Sequence, residues 1–142
     1  MLRLHISLLL GLALLAPAAE VSGVYSVTFH LNLTSLLPAG TMIACRARIA
    51  PEQGGLNLRN QQLAAFPAGA EGRVVVNGPT ADCAADIPFA WTLAGARGGL
   101  LLSYEIDAVS RSGAIRSSAR QNIRAAFPAS GGSASLNLNV PF

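Results

Sequence analysis

A strict alternation of apolar and polar residues between Tyr25 and Thr34 is the feature that most constrains the fold of this chain. Large apolar residues occupy every second position, at Tyr25, Val27, Phe29, Leu31 and Leu33. Successive side chains of a β-strand point to opposite faces, so this period places all of them on one face. The segment therefore predicts a strand with one buried face and one solvated face.

The same period recurs along the chain and predicts further strands. They are expected at 42–49, 73–77, 83–93, 102–108, 114–127 and 135–142, with a further short strand near 56–63. The segment 114–127 is ambiguous, because Ile115, Ala119, Ile123 and Phe127 are spaced by four, which also fits a helix. Its serine and asparagine residues are weak helix formers, and its neighbours are strands, so we favour a strand.

Six to eight short strands separated by turn residues predict an all-β fold, an antiparallel β-sandwich that is immunoglobulin-like in outline. The Cys, Trp, Cys order of immunoglobulin domains is absent, because Trp91 follows both cysteines. The pattern thus indicates an architecture and no particular family.

The first 19 residues have the three parts of a secretory signal peptide. Arg3 lies in a short start, 6–15 form an apolar stretch, and Ala16-Pro17-Ala18-Ala19 offers the small residues that signal peptidase accepts. A membrane-spanning helix needs about 20 apolar residues, which this stretch does not provide. We therefore expect residues 1–19 to be a cleaved signal peptide, 20–142 to be one domain, and the protein to be secreted or periplasmic.

The charge balance of the expected mature chain is nearly neutral. Removal of Arg3 leaves nine arginines against seven carboxylates and no lysine. Nucleic-acid-binding domains usually present a strongly basic face, so this class is not expected. We also expect no stable membrane insertion after the signal is cleaved.

Cys45 and Cys83 are the two cysteines of the chain. In an oxidising compartment an even number of cysteines predicts disulfide pairing. Both fall on the apolar parity of their segments, as a bridge across a core requires. A metal site is not expected, because zinc normally takes three or four ligands and the mature chain has one histidine, His30.

No catalytic or cofactor-binding residue is predicted. His30 lies on the polar face of its strand, without a nucleophile motif such as GxSxG elsewhere. Glu105 and Asp107 are roughly 7 Å apart by strand rise, a separation that could suit a glycosidase. If Ser110 pairs with Gly113, however, Asp107 lies opposite Arg116, and the carboxylates belong to an exposed face of mixed charge. We expect no enzyme activity.

Arg116, Arg120 and Arg124 are the candidates for an anion-binding site. Their spacing by four places them on one face of a regular strand, where guanidinium groups would suit an anionic glycan or a phosphate. The partner itself is unknown from sequence, with another protein or a cell-surface glycan as the open choices.

Three classes of function remain. The favoured one is an exported, non-catalytic binding or structural domain. The second is a fimbrial, pilin-like subunit assembled by strand exchange, suggested by two cysteines 38 residues apart and an N-terminal strand. The third is a small outer-membrane β-barrel, suggested by Phe142 at the end of an alternating strand, although eight aromatic residues are few for such a protein.

Overall fold

The computed structural model describes residues 19–52, 67–93, 99–110, 112–128 and 132–142. The expected signal peptide, apart from Ala19, and the short strand expected at 56–63 lie outside these residues. The described chain is all-β, with seven strands: β1 Ala19–Asn32, β2 Met42–Pro51, β3 Ala68–Val75, β4 Thr80–Leu93, β5 Leu100–Ser110, β6 Gly113–Ala125 and β7 Ser133–Pro141. The ambiguous segment 114–127 is therefore a strand, as favoured from its composition.

The strands form two sheets in a sandwich-like arrangement. One sheet has the order β4-β1-β7 and the other has the order β3-β2-β5-β6. Phe29 of β1 and Tyr104 of β5 meet edge to face, with ring centroids 5.1 Å apart, and so connect the sheets through the core. The predicted inward parity is confirmed on β1, where Tyr25, Val27 and Leu31 are buried together with Phe29.

One strand pairing departs from the predicted antiparallel order. β1 runs antiparallel to β4, and β7 runs parallel to β1, with Val24 opposite Ser133 and Asn32 opposite Pro141. The expectation of wholly antiparallel sheets is wrong for this pair.

On one side of the sandwich, β3 and β4 lie close together beside a disulfide and a glycine. Cys45 of β2 and Cys83 of β4 form the predicted disulfide, with their Cα atoms 6.3 Å apart, and both residues are buried. Gly72 of β3 lies opposite Cys45, and a Cβ there would overlap the backbone of Ala84. The absence of a side chain at Gly72 therefore lets β3 and β4 approach closely beside the disulfide.

The other side of the sandwich is formed by the edge strands β6 and β7. Ile123 of β6 and Ala134, Leu136 and Leu138 of β7 pack against the core but are only partly buried. By contrast, the large inward side chains of β1 are at most 2% exposed, namely Val21, Tyr25, Val27, Phe29 and Leu31. The apolar interior is thus less well covered at β6 and β7 than at the side held by the disulfide.

Candidate functional site

Two short polar pairs connect β1 and β4 on the solvated face of the three-stranded sheet. His30 Nδ1 lies 2.8 Å from Asp82 Oδ1, and the Ser26 hydroxyl donates to Asp86 Oδ1 at 2.6 Å. Each pair joins residues directly opposite each other in the β1–β4 ladder. Because Ser26 and His30 contact different carboxylates, they do not form the hydrogen-bonded serine–histidine arrangement of a catalytic triad. They are exposed cross-strand pairs.

Arg46 is the centre of a charge network on the outer face of the four-stranded sheet. Its Nε donates to Glu71 Oε2 at 2.8 Å, and its Nη1 donates to Asp107 Oδ2 at 2.6 Å. Glu71 also accepts from Arg73 Nε at 2.6 Å, and Glu105 Oε2 lies 3.7 Å from Arg46 Nη1. The network therefore joins side chains of β3, β2 and β5.

The hydrogen bonds of this network shift the pKa of two of its groups. Those from Arg73 and then Arg46 hold the pKa of the Glu71 carboxyl below its ordinary value. The bond to Glu71, followed by that to Asp107, raises the pKa of the Arg46 guanidinium. Both groups therefore carry their full charge at neutral pH, and the network is a set of charge-assisted hydrogen bonds.

The predicted pairing of Asp107 with Arg116 is wrong. Ser110 does pair with Gly113, but Ile115 is an extra residue in β6, so Arg116 lies opposite Ala108 and Asp107 lies opposite Ser117. This β-bulge exchanges the faces of β6 relative to a regular hairpin. The carboxylates Glu105 and Asp107 are instead directed to Arg46, the position that the sequence pattern did not associate with them.

A second irregularity in β6 separates the three predicted anion-binding arginines. The register shifts again between Leu102 and Tyr104, and Asn122 in this region has a positive φ of 56°. Arg116 and Arg120 lie opposite the inward residues Ala108 and Tyr104, and Arg124 lies opposite Leu101. The three arginines therefore do not share one face.

Two of these arginines already have partners. Arg116 donates to the hydroxyl of Ser35, and its guanidinium lies 5.6 Å from the ring centroid of Phe142. Arg124 Nη2 donates to Glu52 Oε1 at 3.0 Å. Arg120 has no ion pair among the described residues and instead lines a groove.

Arg120 lines a groove of about 260 Å³ at the second irregularity. The groove extends over β2, β5 and β6, and we call it the arginine groove; its lining residues are Arg46, Arg48, Ser103, Tyr104, Glu105, Ala119, Arg120 and Gln121. Within the described ranges Arg46 is matched by carboxylates, whereas Arg48 and Arg120 form no salt bridge. Two guanidinium groups with free donors therefore border one concave surface.

Arg48 is the member of this groove that sequence reasoning missed. It follows Arg46 by two residues, so both lie on the outward parity of β2, and it is directly opposite Ser103 of β5. The alternation alone shows that Arg48 is exposed. Its place in the same groove as Arg120 depends on β5 lying between β2 and β6, which the sequence does not specify.

The described residues offer no alternative centre of metal chemistry. No group of three or more His, Cys, Asp or Glu side chains suited to a metal ion occurs in the described ranges. Nor do those ranges contain a helix that is long and apolar enough to cross a membrane. Comparison with protein-family models, curated proteins and solved structures finds no match to this chain.

Proposed function

We propose that the protein is an exported, non-catalytic binding domain that holds an anionic group of its partner in the arginine groove. The observation that carries this proposal is that Arg48 and Arg120, neither of which has a carboxylate partner among the described residues, both line one concave surface. Guanidinium groups with free donors bind carboxylate, sulfate and phosphate groups through paired hydrogen bonds.

The size and composition of the groove favour a small polar group on a larger partner. Ligand pockets for whole small molecules have volumes of about 300–1,000 Å³ and are mostly apolar. At about 260 Å³ the groove is smaller than such pockets, and three arginines line it together with one carboxylate, that of Glu105, so it suits one anionic unit of a chain. We therefore propose an acidic cell-surface glycan as the partner.

Export and a rigid framework support the same function. A buried disulfide is typical of proteins that fold in oxidising compartments, which agrees with the signal-like leader. The division of seven strands into sheets of three and four is that of a constant-type immunoglobulin domain, and we propose that the fold is immunoglobulin-like in outline. Domains of this architecture commonly present binding surfaces on a stable scaffold.

Binding of a sulfated oligosaccharide tests the proposal, with a neutral oligosaccharide of equal length as the control ligand. The double substitution Arg48→Gln with Arg120→Gln is expected to weaken binding at least tenfold, as measured by titration calorimetry at fixed salt. The double substitution Arg73→Gln with Arg124→Gln removes the same charge outside the groove and serves as the matched control.

The two variants distinguish a site from general electrostatic attraction. If both weaken binding equally, binding of the oligosaccharide depends on the net charge of the protein, and the groove is not its binding site. If the wild-type protein binds neither oligosaccharide and instead captures an acidic protein from the same compartment, the glycan is the wrong partner.

A fimbrial subunit assembled by strand exchange is the second candidate. β1 is an N-terminal segment that lies between β4 and β7, and it supplies buried residues from Val21 to Leu31. A neighbouring subunit that donated its own β1 would fill the same position. Such assemblies resist SDS, so unboiled gels of the exported protein should show a ladder of multiples, and a single band would contradict this candidate.

A further inference from the structure

β7 differs in charge from the other strands at the edges of the two sheets. Among the strands of the described ranges, four are edges: β3 and β6 in one sheet, and β4 and β7 in the other. The first three carry charged side chains, which are Glu71, Arg73, Asp82, Asp86, Arg116, Arg120 and Arg124. No charged residue occurs between Ala125 and Phe142. β7 therefore lacks the charges by which edge strands usually avoid pairing with other chains.

The inward side chains of β7 are also incompletely covered. Ala134, Leu136 and Leu138 pack against the core and remain partly exposed. In the described part of the chain, β1 is the single hydrogen-bonded neighbour of β7, so the other side of β7 presents free backbone donors and acceptors. An added strand with alternating apolar residues would pair with this backbone and cover the leucines.

We propose that β7 pairs antiparallel with β7 of a second copy, about a two-fold axis beside Asn137. Full overlap of the nine residues of β7 places this axis at their midpoint. Leu136 then lies opposite Leu138 of the other copy, and Ala134 opposite Val140. The outward positions match in the same way, since Ser135 lies opposite Asn139 and Asn137 lies opposite itself.

The properties of β7 itself favour a second copy as the occupant. Its alternation provides apolar side chains on the face that needs cover and neutral hydrogen-bonding side chains on the face that meets water. Two identical uncharged strands can approach without repulsion. Self-pairing of β6 would instead bring like-charged arginines together, which is unfavourable. The proposed contact joins two three-stranded sheets into one sheet of six strands.

Self-association of the oxidised, exported protein tests this proposal. Sedimentation velocity over about 1–100 μM should show a reversible change from the mass of one chain to that of two. Asn137→Lys places two like charges directly opposite each other at the axis and should weaken association about fivefold or more. Ser22→Lys adds the same charge on an exposed part of β1 outside the β7 pairing and should leave association unchanged.

A pair of double variants tests the register. S135K with N139E places opposite charges across the proposed axis and should retain the dimer, whereas S135K with N139K places like charges there and should abolish it. Circular dichroism and the urea midpoint of each variant, measured where it is monomeric, show that its fold is intact.

The proposal would be overturned by a wild-type protein that is monomeric throughout this concentration range, by equal association of Asn137→Lys and Ser22→Lys, or by equal behaviour of the two double variants. Dilution distinguishes the proposed edge pairing of β7 from strand exchange through β1. An edge-paired dimer dissociates on dilution without denaturant, whereas exchange requires β1 to leave the core. A dimer that persists on dilution and in SDS therefore also contradicts edge pairing.

Discussion

Reduction of the Cys45–Cys83 disulfide is predicted to lower the free energy of unfolding by about 4 kcal/mol. The bridge joins residues separated by 38 positions, and closing a loop of this length removes about 13 cal/mol/K of entropy from the unfolded chain. The bridge lies where Gly72 lets β3 approach β4, so it also links the two sheets on this side of the sandwich. For a domain of this size the loss corresponds to roughly 10–20 °C in Tm.

Urea unfolding of the oxidised and reduced protein measures this difference. Both cysteines are at most 1% exposed, so a reductant should act slowly on the folded protein and much faster in urea. The double substitution Cys45→Ala with Cys83→Ala separates the effect of the cross-link from that of the sulfur atoms, because it adds the cost of small cavities to the entropic loss. It should therefore be at least as unstable as the reduced wild-type protein.

Equal urea midpoints for the oxidised and reduced proteins would refute this reasoning, because the bridge would then not destabilise the unfolded chain by lowering its entropy. Rapid reduction of the native protein without urea would contradict the burial of the sulfur atoms. A higher midpoint on reduction would show that the bridge opposes the packing of β2 against β4.

Three further predictions concern single residues. Gly72→Ala should destabilise the fold by about 1–3 kcal/mol or more in urea unfolding, because its Cβ overlaps the backbone of β4, whereas Gly78→Ala, which meets nothing within 4 Å, should cost far less. Phe29→Ala should cost about 3–5 kcal/mol by the same assay, because the ring is fully buried, and a loss below 1 kcal/mol would contradict its place in the core. The stability that the hydrogen bonds of Glu71 provide is present above its unfolded pKa, near 4.5, and is lost as the pH falls through its lower folded pKa. Glu71→Gln should therefore reduce the acid dependence of the urea midpoint, and an unchanged dependence would contradict the pairing of Glu71.

The faces of the strands could be predicted from sequence because period two is a local property. Tyr25, Ile43 and Ile87 are buried as their alternating patterns predict. The disulfide could be predicted in the same way, since both cysteines fell on inward parities and the expected signal peptide implied an oxidising compartment. These predictions require only that each segment is a strand and that one of its faces is apolar.

The order and register of the strands could not be predicted in this way. Ile115 and Asn122 lie at irregularities that shift the pairing of β6 with β5. Neither residue differs in type from those around it in a way that marks a bulge in the sequence. The groove depends on these shifts and on the placement of β5 between β2 and β6. Arg48 and Arg120 thus line the same groove through long-range pairing, which a pattern of single residues does not encode.

The intact mass of the protein recovered from an exporting host tests whether this is a secreted, disulfide-linked domain. We predict a mature chain that begins at Ala19 or Glu20, with a mass lower than that of the reduced chain by the two hydrogens lost from Cys45 and Cys83. Alkylation under denaturing conditions without reductant should modify neither cysteine. A chain that retains residues 1–19 and has two alkylated cysteines would contradict export and oxidation together.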